Sequence, residues 1–284
     1  MFFRLESPAY GSDYKDTFIN GGGKYAYSLP GIECSECGNT WGGWETVPYP
    51  CPETMKGDKR LQQHWPIPDT EHHALRAAVL DAVVAEGHSV NNIPMGANFQ
   101  PLHVRFPSTP RSDFLWPVIG SAIVSPRVKL LFETHGVTGV TFCEVVIDKV
   151  GKRDSRGPFP FPSTGEPEDI IEEVSGEQFP DRFGPLYEMV ITSESGFPPG
   201  VSSSDVCTGC TRENYKENKR RIVLTQEMIP NSDVFTLATT LYIIVNERVQ
   251  HMIVENRLTN AVLTSMPIES NGKKPAWLRF FSRC

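Results

Sequence analysis

The sequence predicts an α+β protein of two related helix-and-strand lobes, a tandem duplication joined through a four-cysteine zinc site. Three observations carry that prediction. Residues Ser125 to Phe142 align without a gap, at an offset of 121, on Asn246 to Leu263. Cysteines recur in the same spacing, as Cys34-x-x-Cys37 and Cys207-x-x-Cys210. Eight prolines fall between Ser155 and Gly200, a density that interrupts helices and central strands alike. The chain therefore divides into an N-terminal lobe over residues 1–154 with the first cysteine pair, an irregular connector over 155–200, and a C-terminal lobe over 201–284 with the second pair.

Composition bounds the answer further. A chain of 284 residues with 39% apolar side chains is long enough to bury a sizeable core. Its 10% aromatic content argues against a disordered chain, which lacks the apolar surface to offset ordering entropy. The 27 Lys and Arg stand against 34 Asp and Glu, a formal charge of −7. Nucleic-acid binders normally carry a basic footprint, so a neutral or basic partner is expected instead. Seven cysteines, four of them in Cys-x-x-Cys pairs, fit thiols and a metal in a reducing compartment better than a disulfide framework. Arg4 and Glu6 interrupt the apolar start before a signal peptide can form. The longest apolar stretch, Val234 to Val245, has 12 residues including three threonines, short of the roughly 20 that a membrane helix needs. A cytoplasmic protein with no membrane contact is the expectation.

Taken in order, the elements read as follows. Gly21-Gly22-Gly23-Lys24 lacks the spacing of a phosphate loop and reads as a flexible turn. A helix opens at Asp69-Thr70, carries Leu75, Val79 and Val83 on one face, and ends at Gly87. The adjacent His72 and His73 point in different directions on it and are not a ligand pair. Phe114 to Val124 and Val234 to Val245 each read as a strand or a buried helical segment, which periodicity alone does not separate. Ser125 and Asn246 then offer side-chain oxygens to the orphan amides of a first helical turn, with Pro126 suited to the first helical position. Arg127/Arg248, Val128/Val249 and Thr138/Thr259 are identical between the copies. Gly136 supplies a left-handed helix end in the first copy, whereas the second has Arg257 there, leaving its end less defined. Alternation of Val140 and Phe142 with Thr141 and Cys143 reads as a strand. Cys143 is read as a small core residue and Cys284 as an idle terminal thiol.

The cysteine pairs are the strongest chemical signal. Two residues between cysteines let a tight turn aim both sulfurs at one ion, and four thiolates close a tetrahedral site. The 169 residues between Cys37 and Cys207 far exceed the ~15–20 of a compact zinc ribbon. A shared structural zinc on Cys34, Cys37, Cys207 and Cys210 therefore competes with separate or vestigial sites, including one completed by Cys51 or His64. A redox dithiol needs a helix start in a βαβ setting, which neither pair has. No Gly-x-Ser-x-Gly, His-Glu-x-x-His or phosphate-loop motif is present, so the chain is read as a non-enzyme. The stretch Glu166 to Glu177 holds six acidic residues and no basic one, a local field for a cationic partner. Arg212 to Arg221 mixes five basic residues with Glu213 and Glu217 and reads as a mixed-charge surface.

These residues resemble a family. Leu29-Pro-Gly-Ile-x-Cys34-x-x-Cys37-Gly-x-Thr-Trp41, the distant pair Cys207 and Cys210, and the unit from Ser125 to Phe142 are similar to the myxobacterial double-CXXCG motif proteins, over roughly residues 20 to 265. Thr211 stands where the second motif has glycine. Some members are immunity proteins against swapping toxins exchanged between kin cells. The resemblance implies a non-catalytic protein that neutralises one cognate toxin, with the cysteine pairs on zinc. Under that reading Glu168, Asp169, Glu172 and Glu173 belong to the toxin-binding face. The rival reading is a zinc-stabilised nucleic-acid-binding or regulatory module.

Overall fold

A computed structural model describes residues 1–8, 21–43, 45–63, 65–107, 109–118, 121–151, 176–177, 184–196, 207–210, 224–238 and 240–269. Strand β1 (Phe2–Glu6) opens the chain. It is followed by β2 (Gly22–Tyr25), β3 (Ile32–Glu33), β4 (Thr40–Trp41), β5 (Thr46–Pro50) and β6 (Ile67–Pro68). Helix α1 (Asp69–Ala85) leads to β7 (Asn98–Gln100), β8 (Leu102–Phe106), β9 (Phe114–Val118) and β10 (Ser121–Val124). Helix α2 (Pro126–Thr134) precedes β11 (Val140–Glu144), β12 (Val146–Gly151), β13 (Gly176–Glu177) and β14 (Tyr187–Ile191). The last part holds β15 (Leu224–Thr225), β16 (Val234–Thr236), β17 (Ile243–Asn246), α3 (Glu247–Glu255), β18 (Val262–Met266) and β19 (Ile268–Glu269).

The two ambiguous apolar stretches are strand pairs, β9 with β10 and β16 with β17, both antiparallel. Each leads into its helix through the expected cap. Ser125 Oγ accepts from the Val128 amide, and Asn246 Oδ1 accepts from the Val249 amide at 3.0 Å. The helices end alike as well, since Arg257 takes φ 50° where Gly136 takes 60°. Three residues on, Gly139 at φ 83° matches Asn260 at 61°. Glycine is needed at the first of these because a side chain would collide with the Val234 carbonyl. Asparagine tolerates the second, its amide donating to the Phe114 carbonyl at 2.8 Å.

Each strand, strand, helix, strand unit lacks one strand of its own sheet. The sheets run β9-β10-β14-β11 and β16-β17-β1-β18. β14 is antiparallel to both β10 and β11, and β1 is antiparallel to both β17 and β18. The inserted strands hold equivalent registers: Met189 faces Ala122 and Phe142, while Leu5 faces Ile243 and Leu263. Three expectations change here. The stretch read as irregular connector contains β14, a central strand placed between its last densely proline-rich segments, because Leu186 to Ile191 carries no proline. The lobes are also not separate bodies held by a metal. The chain's first strand completes the last sheet, and one hydrophobic cluster spans both units, with Leu5, Phe114, Val124, Phe132, Met189, Val245 and Ile253 among its buried members. The glycine run is likewise no turn, since Gly22 and Gly23 pair in β2 with Arg105 and Val104 of β8.

Polar contacts between the units are reciprocal. Asp113 Oδ2 accepts from the Thr259 amide at 2.9 Å, its hydroxyl at 3.2 Å and Arg127, while Asp113 Oδ1 accepts from Ser125 Oγ. Asp233 Oδ2 accepts from the Thr138 amide at 2.9 Å, its hydroxyl at 3.1 Å and Arg248, while Asp233 Oδ1 accepts from Asn246 Nδ2. Arg127 donates to the Asn256 carbonyl, and Arg248 to the His135 carbonyl. Each aspartate thus ties its own helix cap to the turn after the other helix. Burial opposes the charge on Asp233, but donation from Thr138 and Asn246 and the Arg248 charge outweigh it and hold its pKa below the usual aspartate value.

Asp233→Ala should therefore lower stability by about 1–3 kcal/mol at neutral pH, because Thr138, Asn246 and Arg248 lose the carboxylate they donate to. Since the folded pKa is depressed, this contribution is present above an unfolded pKa of about 3.9 and is lost as pH falls through the folded value. Urea unfolding at a series of pH values checks it: the gap between wild type and variant should be constant above about pH 5 and shrink below about pH 4. A neutral-pH gap under about 0.5 kcal/mol would remove the clasp from the account.

Candidate metal centre

The first cysteine turn is built on a small sheet. β3 and β4 pair antiparallel, Ile32 opposite Trp41 and Glu33 opposite Thr40, with β6 parallel on the other side of β3. Between them the Gly38 amide donates to the Cys34 carbonyl at 2.9 Å, and the Cys34 amide donates to the Asn39 carbonyl at 3.0 Å. The turn is also fastened to α1, which begins directly after β6: the carboxylate of Asp69 accepts from the Ser35 amide at 3.0 Å and from its hydroxyl. These bonds hold the Asp69 pKa below the usual range.

The second turn, Cys207 to Cys210, lies against the first. Cys34 and Cys207 stand 3.6 Å apart at sulfur, Cys37 and Cys210 3.7 Å, and all four sulfurs lie within 4.8 Å of one another. Four sulfurs about 2.3 Å from one tetrahedral ion, the Zn–S distance, would be about 3.8 Å apart, so the arrangement fits a metal of that size. Cys34, Cys207 and Cys210 are buried, and Cys37 is half-buried. Asn39 holds the Cys37 thiol down to about 6 by hydrogen bonding, which favours the thiolate that a metal needs. Ile32, Met95 and Trp41 pack beside the sulfurs, an apolar surround that lowers the local dielectric for a bound ion.

The four cysteines singled out by spacing are thus brought together across the chain. Of the competing completions, Cys51 belongs to the separate core under α1, where burial pushes its thiol up to about 11, and His64 lies outside the described residues. Cys143 is half-buried on β11, its thiol pushed up to about 11 by burial. His72 is buried and His73 exposed; burial lowers the pKa of His72 to about 4, leaving it neutral. Glu168, Asp169, Glu172 and Glu173 fall outside the described residues, as do Arg212 to Arg221 and Cys284.

Residues that spacing did not single out also shape the site. Glu36, inside the first turn, accepts at Oε2 from Thr208 Oγ1 at 2.5 Å and from the Gly209 amide at 2.9 Å. Trp41 Nε1 donates to the Cys210 carbonyl at 3.0 Å. An open groove of about 380 Å³ lined by Glu33, Ser35, Asn39 and Asp69 runs along the outer face of the first turn. A second polar cluster lies elsewhere: the buried carboxylate of Glu188 on β14 accepts from Tyr25 at 2.5 Å, Gln100 at 2.7 Å and Ser121 at 2.7 Å. A single acid in the apolar run Leu186 to Ile191 was its only sequence signal.

No known family model matches the chain, and no curated protein matches it. Among the described residues, no helix is long and apolar enough to cross a membrane.

The centre should hold one equivalent of metal by elemental analysis, and Cys34→Ser or Cys210→Ser should lower the melting temperature by roughly 5–10 °C, because an ion bound only by the folded state adds to folding free energy. Purified protein with under half an equivalent, or unchanged melting in both variants, would reject a structural metal.

Proposed function

We propose that this chain is a non-catalytic immunity protein that binds and neutralises one cognate protein toxin in the cytoplasm, with zinc on Cys34, Cys37, Cys207 and Cys210. The observation that carries this reading is the closed four-cysteine cluster. Four thiolates fill a tetrahedral ion and leave no position for water or substrate, the pattern of structural zinc, whereas catalytic zinc keeps one position open. An all-thiolate tetrahedral set also favours zinc or iron–sulfur chemistry over magnesium or calcium. The bound ion would fix the relative positions of two turns and supply no reaction step.

The toxin partner comes from the resemblance of the Leu29 to Trp41 segment and the paired cysteines to the double-CXXCG proteins. The net charge of −7, the acidic stretch around Glu168, Asp169, Glu172 and Glu173, and the groove bearing Glu33 and Asp69 support a basic partner. The same charge weighs against the rival nucleic-acid-binding module. We also propose that the two units descend from a tandem duplication. The shared caps, the left-handed residues at 136/257 and 139/260, and the reciprocal Asp113 and Asp233 contacts support that origin.

The product of a neighbouring reading frame should co-purify with this chain and should be toxic when expressed without it. Salt-sensitive binding of DNA or RNA, with no such protein captured, would favour the rival. Replacing Glu168, Asp169, Glu172 and Glu173 together should slow toxin association most at low salt, because exposed charges are screened beyond about 10 Å at 0.1 M. Association matching wild type at low ionic strength would take these residues out of the binding face.

A further inference from the structure

The two cysteine turns are not held in the same way. The first closes on itself through the Gly38 and Cys34 amides and is fastened to α1 through Ser35 and Asp69. In the second, the Thr208 hydroxyl and the Gly209 amide both donate to Glu36 of the first turn, and the Cys210 carbonyl accepts from Trp41. Gly209 makes room for this contact, since a Cβ there would lie 3.0 Å from Glu36 Cδ and 3.1 Å from Cys34 Sγ. The Glu36 carboxylate also lies 3.8 Å from Cys207 Sγ.

We infer that Glu36, with Trp41 beside it, is the positioning residue of the metal centre: a clasp from the first turn that sets the second turn in ligating position. The inference rests on the reading that the four cysteines bind one metal. The carboxylate's charge is not what makes it useful there. Four thiolates around a divalent ion already carry a net charge of about −2, and a further negative charge close by is repelled by it. Its value lies in the two hydrogen bonds it accepts across the turns. Outer partners of this kind orient ligands, and removing one typically weakens metal binding by 10–100-fold. An uncharged acceptor of the same shape keeps the bonds and removes the repulsion, so glutamine should serve as well as glutamate or better.

The test is zinc competition between the full-length protein and a chromophoric chelator, read as both affinity and release rate. Glu36→Ala should weaken zinc binding by roughly 10–100-fold and speed its release, while the metal-free proteins melt together. Glu36→Gln should bind zinc at least as tightly as wild type. Trp41→Phe, which keeps the ring and loses the donor, should weaken binding roughly fivefold. Glu255→Ala, an exposed change at the end of α3, should leave binding unaltered. Glu36→Ala within twofold of wild type would overturn the clasp, and so would Glu36→Gln as weak as Glu36→Ala, which would make the charge the active feature. Should Glu36→Ala not fold, the Glu36→Gln and Trp41→Phe results decide alone. A wild-type protein that takes up no zinc would instead sink the metal reading beneath the inference, a distinct failure.

Discussion

Neither of the two related four-stranded sheets is built from strands that follow one another directly in the chain. β14 lies between β10 and β11, and β1, from the opposite end of the sequence, lies between β17 and β18. A central strand contributes ladder hydrogen bonds on both edges and packs both faces, so each unit without its visiting strand would expose two unpaired edges inside its own sheet. This crossing is the constraint on which the rest depends. It makes the hydrophobic cluster common property, because Leu5 and Met189 enter it from strands that belong, by sequence, elsewhere. It also brings the reciprocal aspartate contacts into register.

Two visiting strands in equivalent places create a problem of address, and a pair of charged residues answers it. In the shared register Glu188 of β14 corresponds to Arg4 of β1, since they face Ile123 and Ile244 respectively. Glu188 is buried among three donors: Tyr25, Gln100 and Ser121. Arg4 pairs with Glu6 and lies over the Tyr242 ring at 4.6 Å. If the strands exchanged places, Glu188 would lose the three donors gathered for its carboxylate and Arg4 would be placed against those donors instead, and a buried charge without its partners is among the costliest errors a fold can make. The apolar positions Leu5 and Met189 tolerate either sheet. The polar ones do not.

Local features were legible in the sequence because local physics determines them. Ser125 and Asn246 cap helices by one hydrogen bond to an amide three residues on, and Leu75, Val79 and Val83 line the buried face of α1 at helical spacing. The cysteine spacing singled out the four residues that the fold brings together for the same reason, since a two-residue interval fits a single turn. What escaped was set by partners distant in the chain. β14 hid inside a proline-rich stretch because overall proline density says nothing about the proline-free run from Leu186 to Phe197 within it. Gly22 and Gly23 form a strand because β8 supplies the hydrogen bonds. Asp113 and Asp233 lie 12 and 13 residues before the two caps, so a gapless comparison starting at the caps stops short of them and a continued one misses by a single residue. The contact of Glu36 with the second cysteine turn escaped as well, because Glu36 occupies one of the two unconstrained positions of the motif.

The same division of labour explains why cysteines 173 positions apart can share a site. Closing a free loop of that length costs about 4–5 kcal/mol in chain entropy, a substantial part of the total stability of an ordinary domain. If metal alone joined the two turns, that cost would be drawn from the binding free energy. Here β14 and β15, the nearest described strands before and after the second turn, are each paired with other parts of the chain, so much of the closure does not depend on a metal. Glu36 and Trp41 then need only settle local geometry, which two or three hydrogen bonds can do. The long sequence separation that set a shared site in competition with separate ones is therefore no obstacle: the spacing within each pair puts two sulfurs on one turn, and the fold determines the distance between the pairs.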